Sequence, residues 1–418
     1  MRRLLTFIAL TTISASMSAQ ATEKDFARAR KILESTPLVD GHNDLAWAIR
    51  EDSLSPLDVG AYDLTKRTRG HTDLERLRKG MVGAQFWSVY VPGEVKDSGF
   101  ARIQLEQIDI ARRFIAMHPE RFQFALTARD VRDAFKRKRI GSLIGMEGGH
   151  AIENSLGALR AYHALGARYM TLTHNVTLDW ADAAAEPPRH GGLTEFGKEV
   201  VREMNRLGML VDLSHTSPAT MSDALDVTEA PVIFSHSNAR AVVDVPRNVP
   251  DSILKRLPGN GGVVMVTFVP SFTSAEMAAY DRRVGEAQAQ IRARVGPDET
   301  RVRAETRAWI EANPRPVATI ADIIAHIDHI RKVAGIDHVG IGGDFDGISI
   351  VIKGLEDVST YPALFAELAH RGWPDGDMRK LAGENILRVM EKAEEVAAKA
   401  QRSRPPSAKT ITQLDVRR

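Results

Sequence analysis

LVDGHNDL, residues 38–45, sets a histidine and two carboxylates at the end of a short apolar run, where packing alone would ask for more valine or leucine. On a strand, the i, i+2 spacing of His42 and Asp44 turns both side chains to one face and Asn43 to the other. The run TPLVDGHND (36–44) is the first of eight. The others are MVGAQFWSVYV (81–91), GSLIGMEGG (141–149), ARYMTLTH (167–174), GMLVDLSH (208–215), PVIFSHS (231–237), GGVVMVTF (261–268) and DHVGIGGDFDG (337–347). Longer stretches of helical period separate them. Eight parallel strands, each followed by a helix, predict a TIM-type (β/α)8 barrel, and a chain of 418 residues suits one large barrel. A doubly wound open sheet would carry a Gly-rich phosphate loop after its first strand, and DGHNDL is nothing of the kind.

The segment Ser274–Pro316 breaks the rhythm: it is charged, Ala-rich and helical in period, and reads as a helical insertion between strands 7 and 8 with a solvated outer face. The barrel domain is expected over 22–395. The polar end 396–418, with RSRPPS inside it, reads as a disordered tail.

Apolar residues make up 43% and charged residues 26% of the chain, the balance of a globular protein. The net charge of +2 comes from interleaved signs, which excludes the concentrated basic footprint of a nucleic-acid binder and points to a small-molecule partner. MRRLLTFIALTTISASMSAQA has a basic start, an apolar centre and small residues up to Ala21. It reads as a secretory signal peptide over 1–21, its apolar run being short of the roughly 20 residues of a spanning helix. Cleavage after Ala21, export and a periplasmic address are the expectation. Cysteine is absent, so no thiolate serves as ligand or nucleophile, and any metal must be held by His and carboxylates.

Metal-binding residue types close six of the eight runs: His42 and Asp44, Glu147, His174, His215, His236 and Asp344. In a barrel those ends converge on one mouth. Any one of them alone is better explained as a paired or hydrogen-bonded rim residue; the set together is explained by a metal site. His, Asp, Glu, His, His has the borderline N/O character that suits Zn²⁺ or another first-row divalent ion. Five ligands exceed the three usual for one catalytic zinc, so two ions with Glu147 as the bridge account for the number. Asp344 is then free to serve as general base or acid, with Asp346, two residues on, as its rival.

These motifs, DGHNDL, GMEGGH, TLTHN followed by WAD, LVDLSH, FSHSNAR, RNVPD, and GGDFDG with GLEDVSTYP after it, resemble those of the membrane dipeptidase (renal dipeptidase-like) metallopeptidases of the amidohydrolase superfamily, from about Pro37 to Glu391. The resemblance implies two zinc ions, with His42 and Asp44 on one, His215 and His236 on the other, and Glu147 bridging. It implies that His174 binds or polarises the scissile carbonyl, that Arg247 pairs with the substrate's C-terminal carboxylate, and that Asp344 handles protons. The reaction implied is hydrolysis of a dipeptide by a metal-bridging hydroxide, with acceptance of a C-terminal D-residue among the properties of relatives. Unlike mammalian relatives, the chain has no apolar tail preceding a GPI anchor and no cysteine for an intersubunit disulfide. No stable membrane attachment and a noncovalent homodimer are therefore expected. Two other readings stay open on sequence alone: a binuclear amidohydrolase acting on another amide, a lactam, a lactone or a phosphoester, and an exported binding protein on an inactive barrel.

Overall fold

The structure, a computed structural model, describes residues 21–95 and 99–415, so residues 1–20 of the expected leader lie outside it. The first helix, Glu23–Ser35, starts with Thr22 as N-cap, its hydroxyl and the carboxylate of Asp25 satisfying each other's backbone N–H groups.

Nine strands follow among the described residues: β1 (Leu38–Asn43), β2 (Val82–Tyr90), β3 (Phe122–Phe124), β4 (Ile140–Glu147), β5 (Ala167–Thr171), β6 (Leu210–Asp212), β7 (Ile233–Phe234), β8 (Val263–Val266) and β9 (Val339–Ile341). All named pairings are parallel, in the order β2-β1-β9-β8-β7-β6-β5-β4, and β2 pairs with β4 over seven residues to close the ring. The eight expected runs supply the eight strands of this (β/α)8 barrel. β3 is additional: its three residues pair with Ile140–Ser142 of β4, just before β5 takes over the same edge at Ile144. FQF is too short to give a periodic signal, which is why the sequence does not announce it.

Apolar side chains fill the space between strands and helices and also the barrel itself, where Val39, Phe86, Leu143, Tyr169 and Met265 join Ile386, Leu387 and Met390 of the helix Asn385–Ser403. The insertion lies between β8 and β9 as expected. It folds as the helices Ala275–Val295 and Glu299–Ala312, with Tyr280 of the first packed on Trp309 of the second, ring centroids 6.1 Å apart.

The expected disordered tail is placed differently. The helix Asn385–Ser403 runs through residue 396, and the segment after it lies along the helix Glu195–Leu207. Arg160 donates to the Ser407 carbonyl, Lys409 pairs with Glu199 at 3.3 Å, and Asp415 accepts from Thr194 Oγ1 and Phe196 N. A polar, Pro-containing segment lacks the apolar pattern that sequence reading relies on; hydrogen bonds and ion pairs hold it instead. Residues 416–418 lie outside the described residues. Among the described residues, no helix is long and apolar enough to cross a membrane.

Candidate metal centre

At the C-terminal ends of the strands lies a cavity of about 340 Å³, lined by Asp44, Glu147, His174, His215, His236, Arg247 and Asp344, with Trp47, Tyr90, Val269, Phe272 and Ile348 also in its wall. His42, fully buried, sits against Asp44 and Glu147. His42, Asp44, Glu147, His174, His215, His236, Arg247 and Asp344 are therefore in one place. β2 and the segment after β8, which offered no metal-type residue, contribute wall and support: Tyr90, Val269 and Phe272 line the cavity, and Ser88 Oγ donates to Glu147 Oε2 at 3.2 Å.

His42 and Asp44 converge, but by a different device from simple alternation. Asp40–Asn43 opposes Gln85–Trp87 with one residue to spare, so β1 carries a bulge, and Asp44 is already the N-cap of the next helix. Asn43 turns away, donating to Thr72 Oγ1 and accepting from Leu45 N. The backbone is strained elsewhere at the mouth as well: His215, Asp344 and Asp346 all have φ of 64–67°, a left-handed conformation that costs a non-glycine residue and that clusters at functional sites. Gly347 is required by close approach, since a Cβ there would stand 2.3 Å from Asp44 Oδ2 and 2.7 Å from Asp344 Oδ1.

Glu147 divides the donors. Its Oε2 lies 3.3 Å from His42 Nε2, whereas its Oε1 lies 3.2, 3.4 and 3.8 Å from the Nε2 atoms of His215, His236 and His174. His42 Nε2 is also 3.3 Å from Asp44 Oδ2 and 4.0 Å from Asp344 Oδ1. Three overlapping sets, His42–Glu147–His236, Glu147–His174–His215 and His42–Asp44–Asp344, bring one ligand atom per residue within 4.8 Å of the others. His236 belongs to both sides: its ring is 3.9 Å from that of His42, and its Nε2 is 2.8 Å from His215 Nε2.

The partners behind the imidazoles decide what their inner nitrogens offer. Tyr169 donates its hydroxyl proton to the Gly41 carbonyl at 3.2 Å, so at 2.9 Å it accepts from His42 Nδ1. Asn175 Oδ1 can only accept, and lies 3.2 Å from His215 Nδ1. Ser235 gives its proton to Asp212 Oδ2 at 2.6 Å and so accepts from His236 Nδ1 at 2.8 Å. Each ring is held with Nδ1–H outward, as metal-ligating histidines are. The 2.8 Å approach of His215 Nε2 to His236 Nε2 then sets two lone pairs face to face, which repel unless a cation lies between them. His42 Nε2 is buried with no hydrogen-bond partner. On these grounds the residues fit divalent cations, with bond lengths of about 2.0–2.2 Å to N and O closing the gaps.

The electrostatics of the protein groups agree. Burial alone would lower the pKa of His42, yet Tyr169, Glu147 and Asp44 hold it well above its ordinary value, so this position concentrates positive charge. Burial pushes His215 and His236 well below theirs, and Arg247 pushes in the same direction, so both rings are neutral. Burial opposes ionisation of Glu147, but His42, His215 and His174 outweigh it and hold the carboxyl well below the usual range. Asp344 is pushed up to about 8 by burial, with Asp44 and Glu147 adding to the effect and His42 and Arg247 opposing it.

Asp344 and Asp346 separate cleanly. Asp344 lines the cavity, while Asp346 turns its carboxylate away to accept from His71 N at 2.5 Å. Arg247, 7% exposed, spends one donor on the His236 carbonyl at 3.4 Å and lies 5.2 Å from the ring centroid of Phe272. Its Nε and Nη1 have no partner, and burial lowers its pKa to about 10. His174 lines the same cavity, its ring 4.2 Å from that of His215.

Sequence reading missed the groups behind the site: Asp40, Tyr169, Asp212 and Ser235, all fully buried. Asp40 accepts from His42 N, Gln85 Nε2 and Gly343 N, and from the Tyr361 hydroxyl. A signal did exist, since DGH and DLSH each place an aspartate just ahead of a metal-type histidine.

The profile of a family described as membrane dipeptidase, peptidase family M19, matches residues 26–404. Among solved structures, a dipeptidase described as a metallo peptidase of family M19 is 27% identical with a TM-score of 0.69, the match covering 86% of this chain and 98% of that one. A metallo peptidase from Rhodobacter sphaeroides, liganded with a phosphinate mimic of the dipeptide L-Ala-D-Ala, is 26% identical with a TM-score of 0.68, covering 86% and 99%. The probable dipeptidase PvdM from Pseudomonas aeruginosa, 23% identical, shares the fold with a TM-score of 0.77 over 90% of this chain and 99% of its own.

Proposed function

Because the chain belongs to the membrane dipeptidase family, peptidase family M19, and is a metallo-dipeptidase, we propose that it holds two zinc ions and cleaves dipeptides that have a free C-terminal carboxylate. His42 and Asp44 hold one ion, His215 and His236 the other, and Glu147 spans both. The observation that carries this reading is the division of Glu147's two oxygens between His42 on one side and His215 and His236 on the other. N and O donors without thiolate suit zinc among the divalent ions. When bound, the ions supply an activated water and polarise a carbonyl.

The remaining roles belong to the chain's own groups. Arg247 lines the cavity as a buried cation whose Nε and Nη1 have no partner, a charge with spare N–H donors that would pair with a carboxylate, so it fixes where the substrate ends. His174 stands beside it to orient and stabilise the oxygen of the scissile carbonyl. In its ionised form Asp344 takes the proton of the attacking water, and its raised pKa lets it keep that proton until it delivers it to the leaving amine. Tyr90, Trp47 and Phe272 exclude water around the peptide. A cavity of about 340 Å³ suits a ligand of dipeptide size and not a long chain. Acceptance of a C-terminal D-residue is supported by the L-Ala-D-Ala mimic bound to the Rhodobacter sphaeroides relative.

The test is a release assay on purified protein with zinc counted per chain, using L,L- and L,D-dipeptides beside their C-terminal amides. Two ions per chain with cleavage of the free acids alone is expected; equal cleavage of the amides would remove Arg247 from its role and favour a different amide substrate. Export to the periplasm belongs to the same proposal and rests on residues 1–21. Mature protein from the periplasmic fraction should begin at Thr22, and an N-terminus at Met1 would contradict it. The proposed noncovalent homodimer should sediment as twice 46.0 kDa without the leader's small mass, and a single-chain mass at micromolar concentration would overturn it.

A further inference from the structure

We propose that Asp212, acting through the hydroxyl of Ser235, is a positioning residue that selects the Nδ1–H tautomer of His236 and so keeps the Nε2 lone pair of that ring turned into the site. Asp212 ends β6, is fully buried, and makes four hydrogen bonds that fix its orientation completely. Its Oδ1 accepts from two backbone groups, Ser214 N at 3.1 Å and Ser235 N at 2.8 Å. Its Oδ2 accepts from two hydroxyls, Thr171 Oγ1 and Ser235 Oγ, both at 2.6 Å. Ser235 has one proton to give. An ionised carboxylate can only accept, so the proton goes to Asp212, and the oxygen left facing His236 Nδ1 at 2.8 Å must receive the ring's proton.

The direction of these hydrogen bonds has a consequence that a merely structural aspartate would not have. In Asp212→Asn, the two backbone N–H groups on the Oδ1 side oblige the amide oxygen to stay there. The NH₂ group must then occupy the Oδ2 side and donate to Thr171 and Ser235. Thr171 has an alternative acceptor for its proton in the Met146 carbonyl, 3.3 Å away. Ser235 has His236 Nδ1. Its hydroxyl turns round, the ring accepts at Nδ1 and carries its proton on Nε2, and the nitrogen facing His215 is blocked. Ser235→Ala, by contrast, removes the partner without reversing it, leaving both tautomers available. The isosteric D212N should therefore be the more damaging change, and it should lose that excess once Ser235 is gone.

The geometry stands by itself, but the consequence for metal binding rests on the two-ion reading, so the experiment separates them. Imidazole ¹⁵N shifts of the metal-free full chain report the tautomer directly: His236 should be Nδ1–H in the native protein and Nε2–H in D212N. Zinc titration by calorimetry should show S235A with the ion at His215 and His236 weakened by about ten- to a hundredfold. D212N should bind that ion more weakly still, and D212N/S235A should match S235A alone. Ser235→Thr, which keeps the hydroxyl, should retain the native tautomer. An unchanged tautomer in D212N, or losses that multiply in the double variant, would overturn the role of Asp212. A native chain that binds no zinc would instead sink the two-ion reading while leaving the tautomer result to decide this one.

Discussion

The half of the mouth built on β1 and the segment after β9 is carboxylate-rich, and the half built on the ends of β5, β6 and β7 is imidazole-rich. His42, Asp44 and Asp344 occupy the first; His174, His215, His236 and the cation of Arg247 occupy the second. The first half attracts a cation by charge, as the raised pKa of His42 records. The second half is neutral or positive and attracts one only through nitrogen lone pairs that have to be aimed, which is the task of Asn175, Ser235 and Asp212 behind it. Glu147 is shared by both. Under the proposed two-ion reading, the contrast means that one ion would be held by charge compensation and the other by tautomer control, with substrate charge read on the side of the second.

The largest effect expected is that of Glu147→Gln, which withdraws the shared carboxylate from both halves. Breaking a buried charge set costs about 3–5 kcal/mol, and losing the ions' chemistry adds to it, so hydrolysis should fall by more than about 10⁴-fold, with zinc per chain falling towards none. Retention of both ions would break the comparison at its centre. Asp344→Asn comes next: turnover should fall by about 10²–10⁴-fold, the range of a general acid–base group, while zinc content stays at the native level. Loss of an ion in that variant would move Asp344 from proton handling into the ligand set.

How much of this was legible depends on whether a signal is local. The eight barrel strands, and the gathering at one mouth of seven of the residues singled out, were legible because each is marked by its own run: the position of Glu147 at the end of GSLIGME needs no knowledge of the partner strands, whereas Arg247, in RNVPD beyond the sixth run, was reached only through the family resemblance. Tyr169 is different. It sits 127 residues from His42 and reads as an ordinary core aromatic of β5; only barrel closure brings its hydroxyl to the ring. Asp40 and Asp212 look like two more strand-end carboxylates until the structure shows them facing backbone and hydroxyl groups, away from the cavity. The tail after Ser403 fails for the opposite reason, since its contacts are ion pairs and hydrogen bonds that leave no periodicity to read.

Two smaller changes sharpen the contrast. Arg247→Ala should lower kcat/KM for free-acid dipeptides by about a hundredfold, within the 2–5 kcal/mol typical of removing one partner of a buried charge pair, mainly through KM and with zinc unchanged. Equal losses on amidated substrates would show that the arginine supports the fold and does not read the carboxylate. The partners behind the rings should then rank by burial. Tyr169→Phe leaves the buried Nδ1–H of His42 unpaired, and zinc affinity on that side should drop by about ten- to a hundredfold. Asn175→Ala should cost under about tenfold at the His215 side, because Asn175 is exposed and water can replace its oxygen. The reverse ranking, read by zinc titration of the two variants, would contradict the role assigned to burial.

The measurement that tests the central claim most directly is an anomalous difference map at the zinc absorption edge, from crystals of the mature chain grown with zinc. Two peaks are predicted, one beside His42 and Asp44 and one beside His215 and His236, each within bonding distance of a different oxygen of Glu147. A single peak shared by all the histidines, or two peaks on the same oxygen, would contradict the division of the site by Glu147.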